Sequence, residues 1–156
     1  MLPQSRFDLK HISLAVALSA ALVPQLASAA LGGPETGVAA EAQVLNASVK
    51  STDRSTYRVH SIQLASGTVL REYAVVGGTV FAVAWSGPSM PNLRQALGQY
   101  FDNYVSGAKA RPGSHHHLEI RQSDLVVQSA GHMRAFTGRA YLPQGLPSGF
   151  SLNELH

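Results

Sequence analysis

Residues 68–85 read TVLREYAVVGGTVFAVAW, and the fold turns on how they are read. Thr68 to Val75 and Thr79 to Trp85 are both rich in strand-forming residues, and Val76-Gly77-Gly78 between them is a short glycine-bearing connection of the kind that closes a β-hairpin. The second run is apolar on both faces. Thr79, Phe81, Val83 and Trp85 are expected to point one way, and Val80, Ala82 and Ala84 the other. Only a strand covered on both sides tolerates so little polarity, so this run is expected to be the central strand of a sheet. Tyr57 to Leu64, joined through Ala65-Ser66-Gly67, supplies a further strand on the amino-terminal side.

Beyond Trp85, Gly87-Pro88 breaks the strand and the hydrophobic period changes. Leu93, Ala96, Leu97, Tyr100, Phe101 and Tyr104 recur at helical spacing, so residues 89–104 are predicted to form one amphipathic helix lying across the sheet, with Ser89 or Met90 as N-cap and Pro91 in the first turn. Residues 105–117 are a loop on glycine, proline and serine grounds. Leu118 to Gln122, Leu125 to Ser129 and Met133 to Thr137 continue the sheet. Gly131-His132 is read as the tight turn between the last two, with Gly131 taking a positive φ. The fold class is therefore α+β, an antiparallel sheet of five or six strands packed against one amphipathic helix, over residues 57–143. Residues 30–56 are expected to be flexible or weakly helical, and 144–156 a loosely held tail.

The first 29 residues have the layout of a secretory signal. Arg6 and Lys10 precede an uncharged run from Ile12 to Leu22, and Ala27-Ser28-Ala29 forms a cleavage site after Ala29. The run is shorter than the roughly 20 apolar residues a spanning helix needs. The expected location is periplasmic or secreted, with no membrane span after cleavage. The chain has no cysteine, which excludes disulfides and thiolate metal sites. Its formal charge is +3, and the basic residues are scattered, leaving no footprint for nucleic acid.

Few residues point to chemistry. His115, His116 and His117 are the best metal candidates, but consecutive residues in extended chain alternate direction and cannot converge on one ion. They are read as a solvated loop, and neither a metal nor a cofactor is implied. Arg71 and Glu72 fall in a strand on opposite faces, so at least one needs a partner if both faces are covered. Tyr73 shares a face with Arg71. His132 and Arg134 stand at a sheet corner. No G-x-S-x-G elbow and no phosphate-binding glycine loop is present.

The phrases VLREY (69–73), FAVAWSGP (81–88) and GHMRAF (131–136), with ALGG at 30–33, resemble the DUF2844 family of exported proteobacterial proteins. The resemblance implies a bacterial, exported, single-domain protein and supplies no reaction, cofactor or catalytic residue. The reading that follows is a non-catalytic binding module for an envelope protein or polysaccharide, with Arg71, Glu72, Tyr73, His132 and Arg134 as binding residues. The alternative is a small periplasmic hydrolase in which Glu72 and His132 act as an acid–base pair. That alternative requires both side chains to reach one cleft.

Overall fold

The computed structural model describes residues 30–110 and 117–156. The signal expected over 1–29, and His115 and His116, lie outside them. The strands are β1 (Ser48–Asp53), β2 (Tyr57–Gln63), β3 (Val69–Val75), β4 (Val80–Gly87), β5 (His117–Arg121), β6 (Val126–His132) and β7 (Ala135–Tyr141). They form one sheet in the order β1-β2-β3-β4-β7-β6-β5, antiparallel at every pairing. As predicted, β4 is central, and it is buried from Val80 to Trp85.

Among the described residues there are seven strands rather than five or six. The addition is β1, whose SVKSTD sequence is exposed at every position and is held by its ladder to β2 alone. The expected weak helix ahead of it is α1 (Val38–Val44). The single helix predicted over 89–104 is instead broken. α2 spans Leu93–Leu97, capped by the Asn92 side chain rather than by Ser89 or Met90, and α3 spans Phe101–Lys109. The break falls at Gly98, whose φ is +50°, where a Cβ would lie 2.6 Å from that of Ala30. The amino-terminal segment docks there, Leu31 donating its N–H to the Ala96 carbonyl at 3.0 Å. The apolar stripe itself is as predicted: Ala96 and Leu97 are buried, and Leu93, Tyr100, Phe101 and Tyr104 pack beside them.

Each face of the sheet has its own core. The helix-side core gathers Ile62, Leu70, Val83, Trp85, Ile120 and Val127 with Leu31, Val38 and Leu97. The opposite core gathers Tyr57, Tyr73, Phe81 and Tyr141 under the carboxy-terminal segment, which contributes Leu146, Phe150, Leu152 and Leu155. That segment is thus packed, not loose. Phe150 meets Phe81 edge-on with centroids 5.0 Å apart, and contacts of this kind contribute about 0.5–1.5 kcal/mol beyond burial. Tyr57 donates to the Glu154 carboxylate; burial and that carboxylate push its hydroxyl up to about 12.

Two local expectations are corrected. Tyr73 pairs with Ala82 and Ala74 with Val80, so Phe81 is the extra residue of a bulge. It therefore faces the carboxy-terminal segment, opposite to Val83 and Trp85. The β6–β7 turn lies at Met133-Arg134, since His132 pairs with Ala135 and Gly131 with Phe136. Gly131 is needed for space, because a Cβ there would come within 2.6 Å of the Phe136 ring. The positive φ belongs to Arg134, at +62°, where a side chain costs about 1–2 kcal/mol. Arg134→Gly is expected to raise stability by about 1 kcal/mol after allowing for glycine's freer unfolded chain. Urea unfolding followed by the fluorescence of Trp85 measures this, and a lowered midpoint would show that the arginine side chain stabilises the turn.

Candidate functional site

The carboxy-terminal segment covers only part of its face, and the β5–β6–β7 end stays open. Side chains alternate along each strand, so residues of the same parity as Val126 and Tyr141 look onto this open end: Gln128, Ala130 and His132 from β6, and Thr137 and Arg139 from β7. Register sets Arg139 beside Gln128 and Gln128 beside Glu119, and their side chains join. Arg139 Nε donates to Gln128 Oε1 at 2.8 Å, and Gln128 Nε2 donates to Glu119 Oε1 at 2.8 Å. Glu119 also accepts from Arg121 Nε at 2.9 Å. The Gln128 amide and then Arg121 hold the Glu119 carboxyl below the usual carboxylate range. Arg139 Nη1 donates to the Leu152 carbonyl at 2.8 Å. Its guanidinium is thereby fixed from two sides, which limits the rotamer entropy a ligand would have to remove.

A cavity of about 360 Å³ opens beside it, bounded by His117, Gln128, Thr137, Arg139, Leu155 and His156. A second, of about 590 Å³, adjoins through Ala130 and Thr137 and reaches Pro88, His132, Arg134 and Phe136. Together they make a groove floored by small or apolar residues and edged by guanidinium, imidazole, amide and hydroxyl groups. Among the described residues, no carboxylate side chain lines either cavity. Met133 stands at the hairpin tip, 91 % exposed.

The residues singled out from sequence are divided by this geometry. His132 and Arg134 border the groove. Arg71 has the parity of Tyr73 and sits in the transverse row Arg71–Ala84–Arg139, on the far side of the buried Ala84. Tyr73 is a core residue whose hydroxyl donates to the Glu154 carbonyl at 2.9 Å. Glu72 is fully buried in the helix-side face, and neither of its carboxylate oxygens has a hydrogen-bond partner among the described residues. Glu72 and His132 are therefore not brought to one cleft: one lies in the interior, the other at an exposed hairpin end. Sequence reasoning missed Gln128 and Arg139, and placed His117 in a solvated loop rather than at the edge of this groove. The alternation Thr137, Arg139, Tyr141 carried a signal for Arg139, but only the register across three strands shows what it meets. Of the histidine run, His117 begins β5 and is exposed. No group of three or more histidine or acidic side chains suited to a metal occurs among the described residues, and among them no helix is long and apolar enough to cross a membrane.

Fold and site define an α+β domain built on one antiparallel sheet, with a basic groove on its half-covered face. The chain belongs to the family DUF2844, described as a protein of unknown function, whose model matches residues 27–155. No curated protein and no solved structure matches the chain.

Proposed function

We propose that this protein is an exported bacterial envelope module that binds an anionic cell-surface polysaccharide in the groove between the β6–β7 hairpin and the carboxy-terminal segment. Export is supported by the charged, apolar and small-residue order of the first 29 residues. The observation that carries the binding reading is the Arg139 guanidinium, held by Gln128 and the Leu152 carbonyl beside a groove lined with Arg134, His117, His132 and His156 and no carboxylate side chain. A fixed guanidinium fork suits a carboxylate or other oxyanion. Thr137 and Gln128 suit sugar hydroxyls, and the small residues of the floor let a ring approach the sheet.

Polygalacturonate, with uncharged dextran as control, tests this by calorimetry on the purified protein. Binding is expected for the polyanion alone and is expected to weaken with salt, because exposed charges are screened over roughly 10 Å at 0.1 M. Arg139→Gln is expected to weaken it about tenfold, equivalent to about 1.4 kcal/mol. Arg134→Gly should weaken it while stabilising the fold, which separates loss of binding from loss of structure. Equal binding of dextran, or no change in either variant, would refute the reading.

A further inference from the structure

A second cluster lies at the opposite edge of the sheet, on the helix side. Glu35, in the turn that leads into α1, is buried together with His60 of β2, their side chains only 7 % and 8 % exposed. Glu35 Oε2 accepts the Gly77 N–H at 2.6 Å. Its Oε1 accepts from Arg58 Nη1 at 2.7 Å and lies 3.2 Å from His60 Nε2. Burial raises the Glu35 pKa, but the Gly77 N–H, the Arg58 charge and His60 outweigh it and hold the carboxyl below its ordinary value. The other nitrogen of His60, Nδ1, is 2.8 Å from Ser51 Oγ, the residue directly opposite on β1. An ionised Glu35 favours the tautomer with the proton on Nε2. Nδ1 is then an acceptor, and the Ser51 hydroxyl is its donor.

The result is a carboxylate–imidazole–hydroxyl chain: orienting acid, base and nucleophile in hydrogen-bond series. The two ring nitrogens exchange their more familiar duties, with the nucleophile on Nδ1. Ser51 lies on a strand exposed at every position, while the base behind it is shielded. The chain borders a cavity of about 230 Å³ that also includes Val38, Val49 and Arg58, room for a small acyl group against an apolar wall. Arg58 uses Nε on Asp53 and Nη1 on Glu35. Its Nη2 has no hydrogen-bond partner among the described residues, and it is the cationic donor available to a developing oxyanion. An ion pair that only pinned the amino-terminal segment to β2 would need Glu35 and Arg58 and no hydroxyl on the far side of the ring.

We propose that Ser51, His60 and Glu35 form a hydrolytic centre for esters of small carboxylic acids, separate from the groove on the other face. Ser51 Oγ attacks the ester carbonyl carbon as its proton passes to His60 Nδ1. The bond from that carbon to the alcohol oxygen breaks, and the departing oxygen takes the proton from His60. Water then attacks the acyl-serine, giving one proton to His60, which returns it to Ser51 Oγ as the free acid leaves. Glu35 stays ionised throughout and positions the imidazole.

The protein is incubated with a fluorophosphonate and its mass measured, alongside steady-state hydrolysis of p-nitrophenyl acetate. A single adduct mapping to Ser51 is expected. Ser51→Ala, an exposed change that leaves the fold intact by circular dichroism, is expected to abolish both adduct and turnover. His60→Gln is expected to slow turnover by about 10²–10⁴-fold, the usual worth of a general base. Glu35→Gln, a positioning variant, is expected to lower kcat with KM unchanged. Absence of an adduct in the parent protein, an adduct on another residue, or turnover retained by Ser51→Ala would overturn the proposal.

Discussion

Replacing Glu72 with methionine is expected to stabilise the protein, by about 1–3 kcal/mol near neutral pH, the cost of an unpartnered polar group in an apolar setting. Glu72 sits in β3 between His60 of β2 and Val83 of β4; it has no solvent exposure and, among the described residues, no hydrogen bond to either carboxylate oxygen. Burial, and then the charge of the neighbouring Glu41, raise its pKa well above the ordinary carboxylate value. The folded state therefore holds this proton at pH values where the unfolded chain has released it. From about pH 4.5, where the unfolded carboxyl titrates, up to the folded pKa, the folded protein binds more protons than the unfolded one, and stability falls as pH rises, by at most about 1.4 kcal/mol per pH unit. Below that window both states are protonated and the penalty reduces to that of a neutral buried acid.

Glu72→Gln separates the two contributions. Its amide cannot ionise, so its stability is expected to match that of the parent near pH 4 and to exceed it increasingly toward pH 8. Methionine should add a pH-independent gain. Urea midpoints for the three proteins between pH 4 and 8 measure this directly; since Glu41 interacts with Glu72, the difference curve reports the pair rather than one residue. A parent protein whose stability holds level with Glu72→Gln across that range would mean that the buried carboxyl ionises at no cost, contrary to its unpartnered oxygens.

The contrast between Glu72 and Glu35 explains how far the sequence could be read. Both are acids near apolar residues, and nothing local separates them. What does so is distant: the Gly77 amide, Arg58 and His60 converge on Glu35, whereas Glu72, set between His60 of β2 and Val83 of β4, has no hydrogen bond to either oxygen among the described residues and a second acid, Glu41, nearby. Elements whose cause is local were legible. The doubly apolar run 79–85 became the central strand, and the stripe from Leu93 to Tyr104 became the helix face over the core.

Elements whose cause lies across the sheet were not. β1 has no hydrophobic alternation because both its faces meet water. The bulge at Phe81 is invisible in a run where every position is apolar, and the break at Gly98 answers to Ala30, far off in the chain. The site behaved likewise. His132 and Arg134 could be suspected as polar residues at a sheet corner, but the Arg139–Gln128–Glu119 chain exists only through the register of three strands.

Gly138→Ala is expected to cost about 3 kcal/mol, at the upper end of what overpacking a core costs. Gly138 faces Trp85 across the β4–β7 ladder, and the indole lies over it so closely that a Cβ would stand 2.2 Å from Cζ2 and 2.5 Å from Cε2. Trp85 is 1 % exposed and belongs to the helix-side core, so it can retreat only by displacing its neighbours. The backbone favours the change: Gly138 is not among the glycines with positive φ, and in extended chain alanine should gain roughly 0.5–1 kcal/mol over glycine. Destabilisation would therefore report crowding of the new methyl, by the ring and by the Gln128 carbonyl 2.9 Å away, and the tryptophan variant separates the two. Trp85→Leu alone is expected to cost about 3–5 kcal/mol through lost burial and the cavity left behind, but it also removes the atoms over Gly138. In that background only the Gln128 carbonyl, 2.9 Å from the added Cβ, still crowds it, so Gly138→Ala should cost much less than in the parent, giving a coupling of about 2–3 kcal/mol, within the range for contacting residues. Chemical denaturation of the four proteins of this cycle, followed by circular dichroism because Trp85 is the only tryptophan, measures it. Additive costs would mean that the glycine is required by the neighbouring β6 backbone and not by the indole that lies on it.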